Sequence, residues 1–175
     1  MLTIGHALKW AATALFVAGC ASMGGPGSHA TAKLTPTAGN AAAGTVTFTR
    51  SGDRVRVVAE VSGLTSGAHG FHVHEKGDCS APDATSAGGH FNPGGQPHGN
   101  PAAGAHHAGD MPMLVADASG NATLDVTLST IALGSGANSI VGRAVVVHKD
   151  PDDFKTQPAG NSGARVACGV IVAAS

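Results

Sequence analysis

Apolar residues fall at every second position along several stretches of the chain, the period of a strand with one buried face. In residues 44–50 (GTVTFTR), Val46 and Phe48 share one face and the threonines take the other. In residues 54–61 (RVRVVAEV), Val55, Val57, Ala59 and Val61 line one face, with Arg54, Arg56 and Glu60 opposite. Ser51, Gly52 and Asp53 between the two runs carry turn chemistry and predict a hairpin. Residues 121–128 alternate again through Ala122, Leu124, Val126 and Leu128, after the turn-rich 117–121 (DASGN). Residues 142–148 and 166–173 are denser apolar runs, suited to more deeply buried strands. No stretch keeps a 3.6-residue period over three turns. The pattern predicts an antiparallel all-β sandwich or barrel.

Two segments do not read as strands. Residues 75–113 are rich in Gly, Pro and His, and residues 149–164 are polar with two prolines. Loops beyond about 15 residues inside a compact domain are usually functional or disordered. The first loop holds His90, His98, His106 and His107, which favours function.

Composition sharpens this. At 175 residues the chain has the length of one domain. Charged residues are 12% of it, against about 25% in ordinary soluble domains. A net charge of -1 argues against nucleic acid as a partner, and 42% hydrophobic residues argue against an acidic disordered chain. Ten histidines against five lysines point to metal ligation or pH-dependent chemistry. They are scattered along the chain, which excludes a tag.

At the N-terminus Lys9 precedes an apolar run from Trp10 to Gly19, too short to span a bilayer but suited to a signal-peptide core. A buried N-terminal helix is the other reading. Val17-Ala18-Gly19-Cys20 resembles the lipobox of bacterial lipoproteins, in which the Cys is acylated and begins the mature chain. The expectation is a signal peptide at 1–19, a lipid-anchored flexible linker at 20–32 and a domain at 33–175. If Cys20 carries lipid, Cys79 and Cys168 remain as one pair in an oxidising compartment, with two unpaired buried thiols as the alternative.

The candidate chemistry lies in the histidines. At strand geometry His72 and His74 point to one face, with Cα atoms roughly 6–7 Å apart, so two imidazoles can reach one ion. That pair alone reads equally as two histidines on a polar face. His90, His98, His106, His107 and Asp110 in the first loop, and His148 at the end of an apolar run, change the balance. Imidazole suits copper and zinc, and three imidazoles with a carboxylate suit zinc.

Taken together, the chain resembles bacterial exported copper/zinc superoxide dismutases. The matching stretches are GAHGFHVHE (67–75), GHFNP (89–93), PHGNP (97–101), HAGD (107–110), VH (147–148), PDD (151–153) and GARVACGVI (163–171). The resemblance implies an all-β, Greek-key immunoglobulin-like sandwich or flattened barrel with two long functional loops. It implies disproportionation of superoxide to dioxygen and hydrogen peroxide through a copper cycle, protecting the cell envelope. Copper is assigned to His72, His74, His90 and His148, and zinc to His90, His98, His107 and Asp110. Two four-coordinate metals need eight bonds, which seven residues supply if His90 is shared as a bridging imidazolate. The family frame selects His107 over His106, three residues before the aspartate. His69 is expected to brace the backbone, Asp152 to link His72 to His98, and Arg165 to hold the anion beside copper. Lys149 and Lys155 either help to steer superoxide or are ordinary loop lysines. The second loop is short, so the steering residues of eukaryotic members lack clear counterparts here. The expected partner is the superoxide anion. Membrane contact is expected only through the lipidated N-terminus, and a homodimer is left open. Two other readings compete: a copper/zinc-binding module without turnover, and a zinc hydrolase, which needs an open metal position and a carboxylate base.

Overall fold

The structure is a computed structural model that describes Met1 and residues 28–174. The expected signal peptide beyond Met1, the lipidation site Cys20 and most of the expected linker lie outside the described residues. Alternating apolar residues give strands where the pattern predicts them. These are β2 (Ala43–Ser51), β3 (Arg54–Ser62), β7 (Ala122–Leu128), β8 (Ala144–His148) and β9 (Arg165–Ala173). β2 and β3 pair continuously from Ala43 with Ser62 to Ser51 with Arg54, which is the expected hairpin. His72 and His74 lie on β5 (Phe71–His74). No α-helix occurs among the described residues; Thr85–Ala87 form a single 3-10 turn.

Three strands were not anticipated. β1 (His29–Pro36) begins four residues before position 33, inside the segment expected to be linker. Its inward face is Ala30, Ala32 and Leu34, all buried. Alanines give little hydrophobic signal, yet they let β1 lie between β2 and β9, with which it pairs on both sides. β4 (Gly67–His69) and β6 (Leu114–Ala116) are three-residue strands that pair with each other.

The main sheet has seven antiparallel strands in the order β5-β8-β9-β1-β2-β3-β7. β4 runs into the edge strand β5 across Gly70, and β6 leads through the 117–121 turn into the other edge strand, β7. The short β4–β6 pair therefore joins the two edges, and the sheet curls into the all-β, immunoglobulin-like flattened barrel. Phe48, Phe71, Leu34, Met111, Leu114, Ile131, Ile140 and Ile171 are fully buried within it.

β8 is buried on both faces, which explains its dense apolar run. Val145 and Val147 face the barrel core, while Ala144 and Val146 pack with Ala84, Ala87, Cys168 and the half-buried Cys79. That second cluster lies under the first loop. Cys79 and Cys168 are joined by a disulfide with Cα atoms 5.8 Å apart, so the loop is tied to β9 at the site's border.

Candidate metal centre

β5 turns Phe71 and Val73 into the core and leaves His72 and His74 on the opposite face. β8 pairs with β5 and ends at His148. The first loop reaches this face through a knot of three backbone bonds. Phe91 donates its N–H to the Val73 carbonyl at 2.8 Å, Val73 donates to Gly109 at 2.9 Å, and Gly109 donates to Phe91 at 2.9 Å. Each residue of the knot neighbours a candidate ligand: His72 and His74 flank Val73, His90 precedes Phe91, and Asp110 follows Gly109. A Cβ on Gly109 would collide with the Val73 carbonyl, so the approach requires glycine.

The result is two clusters sharing one residue. His72, His74, His90 and His148 form the first; His90, His98, His107 and Asp110 form the second. Within each, the ligating atoms lie within 4.8 Å of one another, and all seven residues are buried. These are the residues singled out in the sequence, divided as the resemblance implies. His106 lies outside both, half-buried, with Nδ1 on the Gly104 carbonyl at 2.9 Å.

Hydrogen bonds show which ring nitrogen turns inward. His74 donates Nδ1–H to the Gly88 carbonyl at 2.9 Å, leaving Nε2 in the cluster, 3.3 Å from His148 Nε2. His148 Nδ1 lies 3.3 Å from the Gly163 carbonyl. His72 is reversed: Nε2 meets Asp152 Oδ2 at 2.7 Å, leaving Nδ1. His98 likewise gives Nε2 to Asp152 Oδ1 at 2.9 Å. One carboxylate thus orients an imidazole of each cluster, the link expected of Asp152. Asp110 Oδ1 has imidazole Nδ1 atoms of His90, His98 and His107 at 2.9, 3.1 and 3.5 Å. Its Oδ2 accepts backbone N–H groups from Gly99 and His107 at 3.1 and 2.9 Å.

Among the described residues, three buried side-chain atoms have no hydrogen-bond partner: His72 Nδ1, His90 Nε2 and His107 Nδ1. All three belong to the clusters. An unsatisfied buried polar atom costs about 1–3 kcal/mol, and a cation in each cluster would satisfy all of them. The donor sets, four imidazoles and three imidazoles with one carboxylate, fit borderline divalent transition metals.

Burial shapes the electrostatics. It holds His72 and His74 well below the usual histidine pKa, with neighbouring imidazoles adding to the effect. It pushes His148 down to about 4 and lowers His107. These rings are neutral at pH 7 and offer lone pairs rather than charge. Burial opposes ionisation of Asp110, but the His90 and Gly99 hydrogen bonds outweigh it and lower its pKa.

Arg165 stands opposite His148 where β8 and β9 pair, beside a β-bulge. It is half-buried, and its guanidinium donates to the carbonyls of Ala84 and Gly88, each at 2.6 Å. The Gly88 carbonyl therefore joins Arg165 to His74. His69 is buried with Nδ1 2.9 Å from the His148 carbonyl and Nε2 2.8 Å from that of Thr65, a brace as expected. Glu75 is exposed, and its carboxylate accepts the Gly89 N–H at 3.2 Å, which leaves it outside both clusters and weakens the hydrolase reading. Sequence reasoning missed Gln157, which pairs with the His98 backbone. It also missed Met113, whose sulfur accepts the Asp152 N–H at 3.3 Å. Neither sits in a motif, so no local signal pointed to them.

Comparison with known proteins agrees with this geometry. The family described as Copper/zinc superoxide dismutase (SODC) matches residues 42–171. A solved structure of the clock protein EA4 is similar at 41% identity and a TM-score of 0.76, over 84% of this chain and 94% of that one. The family match takes in β2 through most of β9 and every member of both clusters; by that extent the chain belongs to the copper/zinc superoxide dismutase family.

Proposed function

We propose that the protein disproportionates superoxide, turning two superoxide anions and two protons into dioxygen and hydrogen peroxide. Copper is held by His72, His74, His90 and His148, and zinc by His90, His98, His107 and Asp110. The observation that carries this reading is His90, which belongs to both clusters, with Nδ1 on the Asp110 carboxylate of the second and Nε2 buried without a protein partner. When bound, copper supplies one-electron exchange in both directions, and zinc supplies charge without redox chemistry. His90 can hold a proton at Nε2 and release it toward peroxide. Arg165, with its charge beside His74 and His148, draws in the anion and orients it. Asp152 keeps His72 and His98 in fixed tautomers.

The solved neighbour named as a clock protein is the reason to carry a second reading, a copper/zinc-binding module without turnover. The position of Arg165 beside the first cluster favours turnover. Metal analysis and a superoxide-consumption assay on purified protein decide. Both metals should be bound, and His72→Ala or His74→Ala should abolish consumption while zinc stays. Bound metals without consumption would support the module, and loss of zinc with copper retained would overturn the assignment.

The proposed place of action is the periplasm, on a lipid anchor at Cys20 that follows a cleaved signal peptide, where the enzyme guards the cell envelope. The lipobox-like Val17-Ala18-Gly19-Cys20 and a disulfide of the kind that persists in oxidising compartments support it. Cys20→Ser should move the protein from the membrane fraction to the soluble one with specific activity unchanged. Wild-type protein already soluble after export would refute the anchor.

A further inference from the structure

We infer that Gln157 is a positioning residue for the second cluster: its side-chain amide pairs with both backbone groups of His98 and holds that imidazole ready for a metal ion. The inference rests on the reading of His90, His98, His107 and Asp110 as a zinc site.

His98 donates its backbone N–H to Gln157 Oε1 at 2.8 Å, and Gln157 Nε2 donates to the His98 carbonyl at 2.9 Å. The amide thus serves His98 as a neighbouring strand would, in a stretch with no regular strand of its own. The same loop also holds the ring, through Asp152 Oδ1 on Nε2. Backbone and side chain of one candidate ligand are therefore both fixed by residues 152–157.

The reach extends to a second ligand. The His98 carbonyl and the Gly99 N–H belong to one peptide plane. Gln157 holds the carbonyl side of that plane; the N–H side donates to Asp110 Oδ2 at 3.1 Å. Releasing the carbonyl lets the plane rotate, which weakens the hold on Asp110 as well as on His98.

Gln157 is presented by a turn built for stiffness. The Asp153 carboxylate accepts the N–H of Lys155 and of Thr156, both at 2.8 Å, and the Thr156 hydroxyl at 2.6 Å. Asp153 N–H reaches the Gly160 carbonyl at 2.9 Å, and Gly160 N–H the Thr156 carbonyl at 2.7 Å. The long Gln side chain extends from this frame, so fewer groups must be ordered to make the pair. The histidines of the first cluster other than His90 sit on β5 and β8 instead. Their anchoring does not pass through Gln157, which predicts an effect confined to zinc.

Full-length wild type, Gln157→Ala and Gln157→Glu would be compared. Gln157 is exposed, so neither change opens a cavity or buries a charge. Three quantities are read: zinc release to a chelator, exchange of the His98 amide proton in metal-free protein, and the copper spectrum. Gln157→Ala should release zinc about tenfold faster, the scale of lost hydrogen bonds, with a faster-exchanging His98 amide and an unchanged copper spectrum. Gln157→Glu keeps an acceptor for the His98 N–H but no donor for its carbonyl. It should therefore keep that amide protected while zinc release rises. Wild-type rates of zinc release and amide exchange in both variants overturn the inference while leaving the zinc site standing. Parallel loss of both metals with a lower melting temperature also overturns it, since that is a general structural effect. A wild-type protein that takes up no zinc overturns the reading of the site and the inference with it.

Discussion

A buried imidazole is costly unless both of its nitrogens are used, and at His74 and His72 the protein engages one nitrogen and turns the other into the cluster. His74 spends Nδ1 on the Gly88 carbonyl, and His72 spends Nε2 on Asp152; the other nitrogen of each is left for a metal. The same burial makes these rings resist protons. His148 has a native pKa of about 4 against 6.5 for an unperturbed histidine. Between those values the unfolded chain binds a proton that the native state does not, so stability falls as pH falls through that window. The lowered pKa values of His72, His74 and His107 act in the same direction. Metal-free protein should therefore lose stability steadily from about pH 6.5 to about pH 4, with His148 contributing up to about 1.4 kcal/mol per pH unit. Denaturant midpoints measured across that range check this, and a flat profile would contradict the burial argument. Neighbours also separate at this scale. His107 lies in the second cluster and His106 does not. His107→Ala should weaken zinc by more than about a hundredfold, beyond the cost of losing a mere supporting contact, and lower the melting temperature. His106→Ala should change neither, as chelator competition and thermal melts on the two variants would show.

At the scale of elements, the site divides between rigid strands and two crossing loops. β5 and β8 supply His72, His74 and His148 from the barrel wall. The first loop supplies His90, His98, His107 and Asp110, and the second supplies the supports Asp152 and Gln157. The loops meet with no room to spare at Gly160. Its φ is +65, and a Cβ there would collide with the Asp152 carboxylate and the His98 ring. Gly160→Ala should cost about 1–3 kcal/mol of stability and weaken zinc roughly 10- to 100-fold by displacing Asp152. Denaturant unfolding and zinc competition measure the two effects. Unchanged zinc affinity would mean that the loops can part without disturbing the ligands. The strands were largely legible: alternation at Val46 and Phe48, and at Val55 to Val61, marks β2 and β3 because one face of each meets the core. β1 was hidden because its buried face is two alanines and a leucine, and pairing on both sides rather than hydrophobicity makes it a strand.

Over the whole molecule, the barrel and the disulfide share the work of holding long loops in place. The Cys79–Cys168 bond closes a separation of 89 residues and crosses from the first loop to β9, three residues from Arg165. In the chain-entropy account a closure of that length contributes roughly 4–5 kcal/mol. Cys79→Ser with Cys168→Ser should lower stability by about that amount. The melting temperature of oxidised wild type against the double variant tests it. A loss below about 1 kcal/mol would indicate that the metal-free loop is already held by its other contacts. The bond also sets the ground beneath Arg165, because Ala84 and Gly88, its carbonyl partners, lie on the segment Cys79 anchors.

Local chemistry determined what can be read one residue after another. Period-two alternation set the strand class, the concentration of Gly, Pro and His set the first loop, and a polar stretch with two prolines set the second. The motif set, with its arithmetic of seven donors for eight bonds, pointed to a shared His90. These features are written in side-chain identity and spacing, so they survive without coordinates. The tertiary structure alone decided which nitrogen of His74 and of His148 faces inward, because the partners that settle it are main-chain carbonyls of Gly88 and Gly163, and a carbonyl has no residue type. It also decided β4 and β6, three-residue strands too short to show a period, which join the edges of the sheet. And it brought Gln157 to His98 across a separation of 59 residues, a contact between a side chain and a backbone that no spacing rule encodes.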